Sequence, residues 1–326
     1  MLEPRANPGF QGHQAAIASL HHAAASGRLH HGWLISGQPG VGKATLAFRF
    51  ARWLLAGGAS LDLSLPETAP VFRRVAAGTH PDLFTVERRV NAKTEKLQSE
   101  IVIATIQEAC AFMRLTPAEG GWRVVVVDGA EDMNPNAANA LLKVLEEPPA
   151  RAILLLVSSA PGRLLPTIRS RCRALPMAQL PDDDIAALLK DYAPELSEDE
   201  RARLVGLAEG SIGTALTLAA EGGVALAGLV DEALAGPVSP ARAQNIADTV
   251  ARTVEGEDKF ATFMTLLRAG LASHTRAAAR SGQPAGRLAG EVALWQEFGR
   301  LEREAVGLNL DKRATVIVAL SQLHRS

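Results

Sequence analysis

Through about residue 158 the chain alternates two hydrophobic patterns, and beyond about residue 178 only one of them persists. The first pattern is a 3.6-residue apolar period, and the second is a short, nearly unbroken apolar run. Residues 13–26 read as a helix stopped by Gly27, and residues 33–36 as a short buried strand. Residues 44–55 are again helical: Leu46, Phe50, Trp53 and Leu54 share one face, while Arg49 and Arg52 lie on another. Residues 57–80, rich in Gly, Ala, Pro and Ser, predict loop with a short helix. A second strand follows at 82–86, a helix at about 103–115 ends before Pro117, and residues 123–128 form an apolar strand closed by Asp128. Asn134-Pro135 opens the next helix with an Asn cap and a proline in its first turn. Leu141, Leu142 and Leu145 form its buried stripe, and Pro148-Pro149 stops it. Residues 152–158 are another apolar run. Such runs alternating with helices predict a parallel sheet covered on both faces.

Beyond 178, Ala, Leu, Glu and Arg in helical register take over. Pro181-Asp-Asp-Asp-Ile185 reads as a capped helix start, and Gly210-Ser211 as a turn between helices. Gly222-Gly223 and Gly236-Pro237 are candidate boundaries, and the loop 280–286 interrupts a series of amphipathic helices over 240–326. There is no internal repeat. The expected division is an α/β domain over 1–177, a helical segment over 178–223 and a second helical domain over 224–326.

Composition narrows the classes without choosing among them. With 326 residues, 47% apolar and 21% charged, the chain has the make-up of a globular protein with a sizeable core. Its net charge of −1 gives no reason to expect tight binding to DNA over the whole surface. Cys110 and Cys172 lie far apart, so neither a disulfide framework nor structural zinc is expected. The N-terminus has no apolar signal core and no apolar run reaches membrane-spanning length, which makes the cytoplasm the expected location.

The sharpest chemical signal is Gly37-Gln-Pro-Gly-Val-Gly-Lys-Ala44. It meets the phosphate-loop pattern G-x-x-x-x-G-K-[ST] through Lys43 and fails at Ala44. Gly37, Gly40 and Gly42 would let backbone N–H groups wrap a phosphate, and Lys43 would add a point charge. The hydroxyl missing at position 44 is the one that would hold Mg²⁺ on a triphosphate. Thr45 lies about 100° further round the helix and substitutes poorly. Asp128 is the expected carboxylate partner of the loop, with a plain strand-end cap as the alternative. Position 129, where a hydrolase of this kind needs a water-orienting glutamate, is Gly129, and Glu131 is expected to point elsewhere. Two polar losses argue against hydrolysis by this chain.

Arg169, Arg171 and Arg173 form a cluster that is either a solvated basic face or the source of an arginine offered to a phosphate on another subunit. Ordinary packing is favoured for His30, His31 and His80, and a small buried apolar role for Cys110.

Several segments together resemble one family. Asn139-Ala-Leu-Leu-Lys-Val-Leu-Glu-Glu-Pro-Pro149, Ser170-Arg171-Cys172, Ala77-Gly-Thr-His-Pro-Asp82 and Asn309-Leu-Asp-Lys312 are similar to the signatures of bacterial clamp-loader subunits of the AAA+ superfamily, in particular the delta-prime type. The resemblance is strong over most of 10–180 and weak beyond. It implies a RecA-like α/β domain, a small helical lid and an all-helical collar that joins five subunits in a ring. It also implies a non-hydrolysing stator within the DNA polymerase III holoenzyme. In that role Arg171 acts in trans on ATP held by a neighbouring motor subunit, while the complex loads the sliding clamp onto primed DNA. The implied partners are motor subunits and a delta subunit in a hetero-pentamer, with clamp and DNA reached through the complex and no membrane.

Against the motor pattern the chain departs at Ala44, Gly129 and Gly213, the last standing where motors carry a lid arginine. It also lacks the four-cysteine zinc module that many relatives carry near 56–80. No cofactor or metal is therefore expected to be required. The persisting glycines and Lys43 leave weak ATP, ADP or phosphate binding without turnover. The alternatives are an autonomous P-loop ATPase or kinase, and the ATP-hydrolysing motor of the same loader.

Overall fold

The protein is described by a computed structural model over residues 3–90, 95–252 and 258–323. Two units divide it, one reaching to Leu188 and including Glu209–Gly213, the other made of Leu189–Ala208 and the chain from Thr214 onward.

In the first unit the elements run α1 (Gln14–Ala25), β1 (Gly32–Ser36), α2 (Lys43–Leu55), α3 (Pro70–Ala76), β2 (Leu83–Val86), α4 (Ile103–Met113), β3 (Arg123–Asp128), α5 (Pro135–Glu146), β4 (Ala152–Ser158), the single-turn α6 (Pro166–Arg169) and β5 (Arg173–Pro176). All strand pairs are parallel, in the order β2-β3-β4-β1-β5. The apolar runs conceal a strict two-residue alternation. Trp33, Ile35, Val124, Val126, Ile153 and Leu155 pack with α1 and α2 on one face. Leu34, Val125, Val127, Leu154 and Leu156 pack with α4 and α5 on the other. Each large apolar side chain removed from water contributes about 1.5–3 kcal/mol, which accounts for the coherence of this three-layer core. After β1 the chain runs toward β2, and after β4 it crosses β1 to reach β5. The C-terminal ends of β1 and β4 therefore flank a topological switch point, where an α/β sheet opens a crevice.

Two features were not legible in the sequence. β5 was not anticipated: its four residues begin with Arg173, end with Pro176 and bury only Leu175, so no period is legible in this short edge strand. The charged face of α2 is also not solvated. Arg52 is buried, donates to the carbonyls of Arg5 (2.7 Å) and Asn7 (2.8 Å), and stacks 4.5 Å over Phe72. Arg49 donates to the Pro8 carbonyl at 3.0 Å. The N-terminal segment lies across these guanidinium groups, so α2 is enclosed on both faces. Burial, with Arg49 adding to it, pulls the Arg52 pKa down to about 10.

The remaining elements are α7 (Asp182–Tyr192), α8 (Glu198–Ala208), α9 (Ile212–Ala220), α10 (Gly223–Ala235), α11 (Pro240–Ala251), α12 (Lys259–Arg280), α13 (Ala285–Gly307) and α14 (Lys312–Gln322). In the second unit α12 packs against both α10 and α13, and α11 against α14. Phe260, Phe263, Met264, Leu267, Ile246 and Phe298 are fully buried there. Ser239, Asp258 and Asp311 cap α11, α12 and α14 by accepting from backbone N–H groups. No single described helix is long and apolar enough to cross a membrane. The fold class is α/β: a five-stranded parallel-sheet domain followed by a helical C-terminal region.

Candidate functional site

Directly after β1 the chain turns beneath the ends of two strands, with the Gly37 N–H donating to the Ser158 carbonyl at 3.3 Å. A β-carbon at Gly37 would fall 2.5 Å from the Met177 carbonyl oxygen, so this position admits only glycine. Gly40 and Gly42 adopt φ of +76° and +97°, the left-handed region that glycine enters without steric cost. Gly42 leads straight into α2, whose first N–H groups lack helical partners.

Lys43 is 5% exposed, and its ammonium donates to the Gln38 carbonyl at 2.7 Å. The loop thus supplies the partner of its own lysine. Burial pulls the Lys43 pKa down, while the carboxylates of Glu131 and Asp128 act the other way. The Asp128 carboxyl is pushed up by burial and by Glu87, with Lys43 opposing. Lys43 and Asp128 therefore share one electrostatic site, and Glu131 belongs to it as well. The left-handed Gly129 and the 3-10 turn Ala130–Asp132 bring Glu131 back, so that it accepts from the Ser159 N–H at 2.8 Å just beyond β4. Its second carboxylate oxygen is buried without a hydrogen bond.

The three departures at positions 44, 129 and 213 are built into the backbone and packing. Ala44 packs against the α1/α2 core. Gly129 sits at φ +79°, and a β-carbon there would meet Asp132 Oδ2 at 3.0 Å. Gly213 donates its N–H to the Gly40 carbonyl at 2.9 Å, and a β-carbon on it would fall 2.6 Å from Gly40 Cα. Around this contact, Ser211 Oγ donates to the Pro39 carbonyl at 2.9 Å and Gln38 Nε2 to the Glu209 carbonyl at 2.8 Å. Gln179 Nε2 donates to Gln38 Oε1 at 3.0 Å. Residues 209–213 are thereby laced onto the loop. Position 44 offers no hydroxyl to a metal ion on a triphosphate, Lys43 is partnered by Gln38, and the Gly213 backbone abuts Gly40.

The arginine cluster separates into three different environments. Arg169 is exposed. Arg173 stacks 5.0 Å over the Trp33 ring. Arg171, half-buried, donates from Nη1 to the Thr167 carbonyl at 3.1 Å and pairs through Nη2 with Glu146 Oε1 at 2.9 Å. The next residue, Cys172, is buried, and burial pushes its thiol pKa up to about 12, so it is inert packing. Arg171 is tied to the end of α5 and the α6 turn.

The sequence model of the family described as "DNA polymerase III, delta subunit" matches residues 12–181, a span that contains both the glycine loop and the arginine turn. This chain belongs to the DNA polymerase III delta subunit family. It is 38% identical over 196 residues to the DNA polymerase III subunit delta′ of Pseudomonas aeruginosa, covering 59% of this chain and 56% of the relative. With the delta′ subunit of Escherichia coli the identity is 34% over 193 residues, 59% of this chain and 55% of the relative. The Escherichia coli subunit tau is 30% identical over 215 residues, 64% of this chain and 31% of the relative. The chain spans about half the length of these two delta′ relatives.

Within the stretch matched to the delta subunit family, His80 and Asp82 have a structural task. Asp82 is 1% exposed and accepts from the N–H groups of Ala118 (2.7 Å) and Glu119 (3.0 Å), with Arg123 3.5 Å away. His80 Nδ1 accepts from the Asp82 N–H at 3.2 Å. Together they pin the turn before β3. His30 and His31 stack at 4.3 Å, and His31 Nε2 donates to the Leu145 carbonyl at 3.0 Å at the end of α5. Among the described residues no three of His, Cys, Asp and Glu are grouped to hold a metal ion. Sequence reasoning missed Glu146, Gln38, Gln179 and Ser211, whose roles arise from contacts distant in the chain. The Glu-Glu-Pro-Pro segment at the end of α5 and the Gly210-Ser211 turn were visible, but nothing local pointed to their partners.

Proposed function

We propose that this chain is a non-hydrolysing subunit of the DNA polymerase III clamp loader that presents Arg171 to ATP held by an adjacent motor subunit. The observation that carries the reading is the contrast between two sites. The chain's own loop is closed by the Gly213–Gly40 contact and has no hydroxyl at position 44. Arg171, by contrast, reaches the surface as a cation whose planar fork matches phosphate oxygens. Motor and delta subunits would complete a cytoplasmic hetero-pentamer, with the C-terminal helices as collar and 178–223 as lid. The sliding clamp and primed DNA would be engaged through that complex. The chain needs no nucleotide, metal or zinc of its own. Gly37, Gly40, Gly42, Lys43 and Asp128 serve as a scaffold with at most weak phosphate affinity.

Two measurements test this. The purified chain alone should turn over no ATP, and a rate like that of a motor subunit would end the reading. In the reconstituted complex, Arg171→Ala should slow the one site it serves by about 10³–10⁵-fold, as arginine fingers do elsewhere. Total DNA-stimulated turnover falls less because other sites remain, and undiminished turnover would remove the trans role. The similarity to tau keeps the motor as the second reading. It requires a side chain at position 213, where the Gly40 contact leaves no room, and a metal ligand at 44, where Ala44 offers none.

A further inference from the structure

Glu146 is the last residue of α5, where a carboxylate faces the negative end of the helix dipole and gains nothing from the helix itself. The tertiary structure gives this charge a partner, the Arg171 guanidinium, at 2.9 Å. Both members of the pair are mounted on the same ground. The Leu145 side chain and Cys172 Sγ converge on Gly32 at the start of β1, where a β-carbon would meet them at 2.9 and 3.4 Å. His31 holds the Leu145 carbonyl at 3.0 Å, fixing the end of α5. Among the described residues, Glu147, one residue further on, makes no side-chain hydrogen bond or ion pair, so the arrangement is specific to position 146.

A half-exposed ion pair adds little to stability. What it does supply is orientation. Arg171 uses one N–H toward the Thr167 carbonyl and one toward Glu146, and a guanidinium has five. The remaining donors stay available on a side chain 37% exposed. An unheld arginine would sample many rotamers, and freezing them when a phosphate arrives would weaken the contact.

We propose that Glu146 is the positioning residue for Arg171, holding its guanidinium in the orientation that meets a phosphate on a neighbouring subunit. This rests on the reading of Arg171 as acting in trans. The test is DNA-stimulated ATP turnover by the complex reconstituted with this chain, resolved into kcat and KM. Glu146→Ala should lower kcat at the site served by Arg171 about 3–10-fold, less than Arg171→Ala, with KM for ATP little changed. The isosteric Glu146→Gln, which keeps an acceptor oxygen and guards against misfolding, should recover part of the loss. Glu147→Ala should match the unaltered complex. Glu146→Ala placed in the Arg171→Ala background should cost nothing more. Unchanged or faster turnover in Glu146→Ala, or an added loss in the double variant, would overturn the proposal. If Arg171→Ala slows the complex and Glu146→Ala does not, the positioning role alone fails. If Arg171→Ala has no effect, the trans reading fails and takes the positioning role with it.

Discussion

The backbone of Gly213 lies directly on the backbone of Gly40, with its N–H donating to the Gly40 carbonyl at 2.9 Å. Two glycines 173 positions apart thus meet without side chains between them, and the segment 209–213 seals the loop. A β-carbon at Gly213 would fall 2.6 Å from Gly40 Cα, and backbone cannot swing aside as a flexible side chain does. Gly213→Ala should therefore destabilise the protein by about 1–3 kcal/mol, the usual cost of overpacking. Urea unfolding checks this. A variant as stable as the parent would mean that the contact is loose.

Restoring the glutamate that hydrolases carry after the β3 carboxylate should not restore hydrolysis. Gly129 is at φ +79°, which costs an L-residue about 1–2 kcal/mol, and Asp132 Oδ2 stands 3.0 Å from the added β-carbon. Gly129→Glu should lose about that much stability and gain no ATP turnover. Measurable turnover by the variant would show that one side chain was all the loop lacked.

Asp82 is the buried anchor of the turn before β3, accepting two backbone N–H groups with Arg123 beside it. Removing one partner of a buried charged set leaves the other uncompensated. Asp82→Ala should cost about 3–5 kcal/mol, seen as a lowered urea midpoint. Asp82→Asn keeps an acceptor and should cost less.

His13, His31 and His80 all have pKa values lowered in the fold, burial being the first cause for each. For His80 the Arg74 cation adds to burial, while Glu119 and Asp82 oppose it. The unfolded chain takes up these protons near pH 6.5 and the folded chain only at lower pH. Stability from these histidines is therefore complete above about pH 6.5 and is lost as pH falls through that value toward the lowered folded pKa values. Urea titrations at pH 7.5, 6.5 and 5.5 should show a falling midpoint, with a shallower slope in His80→Gln. An equal slope in that variant would remove His80 from the set.

The layers of the sheet domain were legible because each central strand is buried on both faces and shows as an apolar run. The Asn134-Pro135 start of α5 was equally plain, since a cap and a first-turn proline act within a few residues. β5 was not legible: an edge strand of four residues with one buried position carries no period. The enclosure of Arg49 and Arg52 was hidden for a related reason. A guanidinium reads as surface until a distant carbonyl, here from Arg5, Asn7 or Pro8, is brought over it.

The sequence by itself determined that a glycine loop joins β1 to α2, that Ala44 offers it no hydroxyl, and that arginines cluster after β4. Each of these depends on residue type and close spacing alone. Only the tertiary structure decided which arginine is held, by which carboxylate, and that Gly213 closes on Gly40. Those facts depend on where helix ends and turns far apart in the chain come to rest. The packing of α5 and the laced turn at 209–213 place them, and no local pattern encodes that meeting.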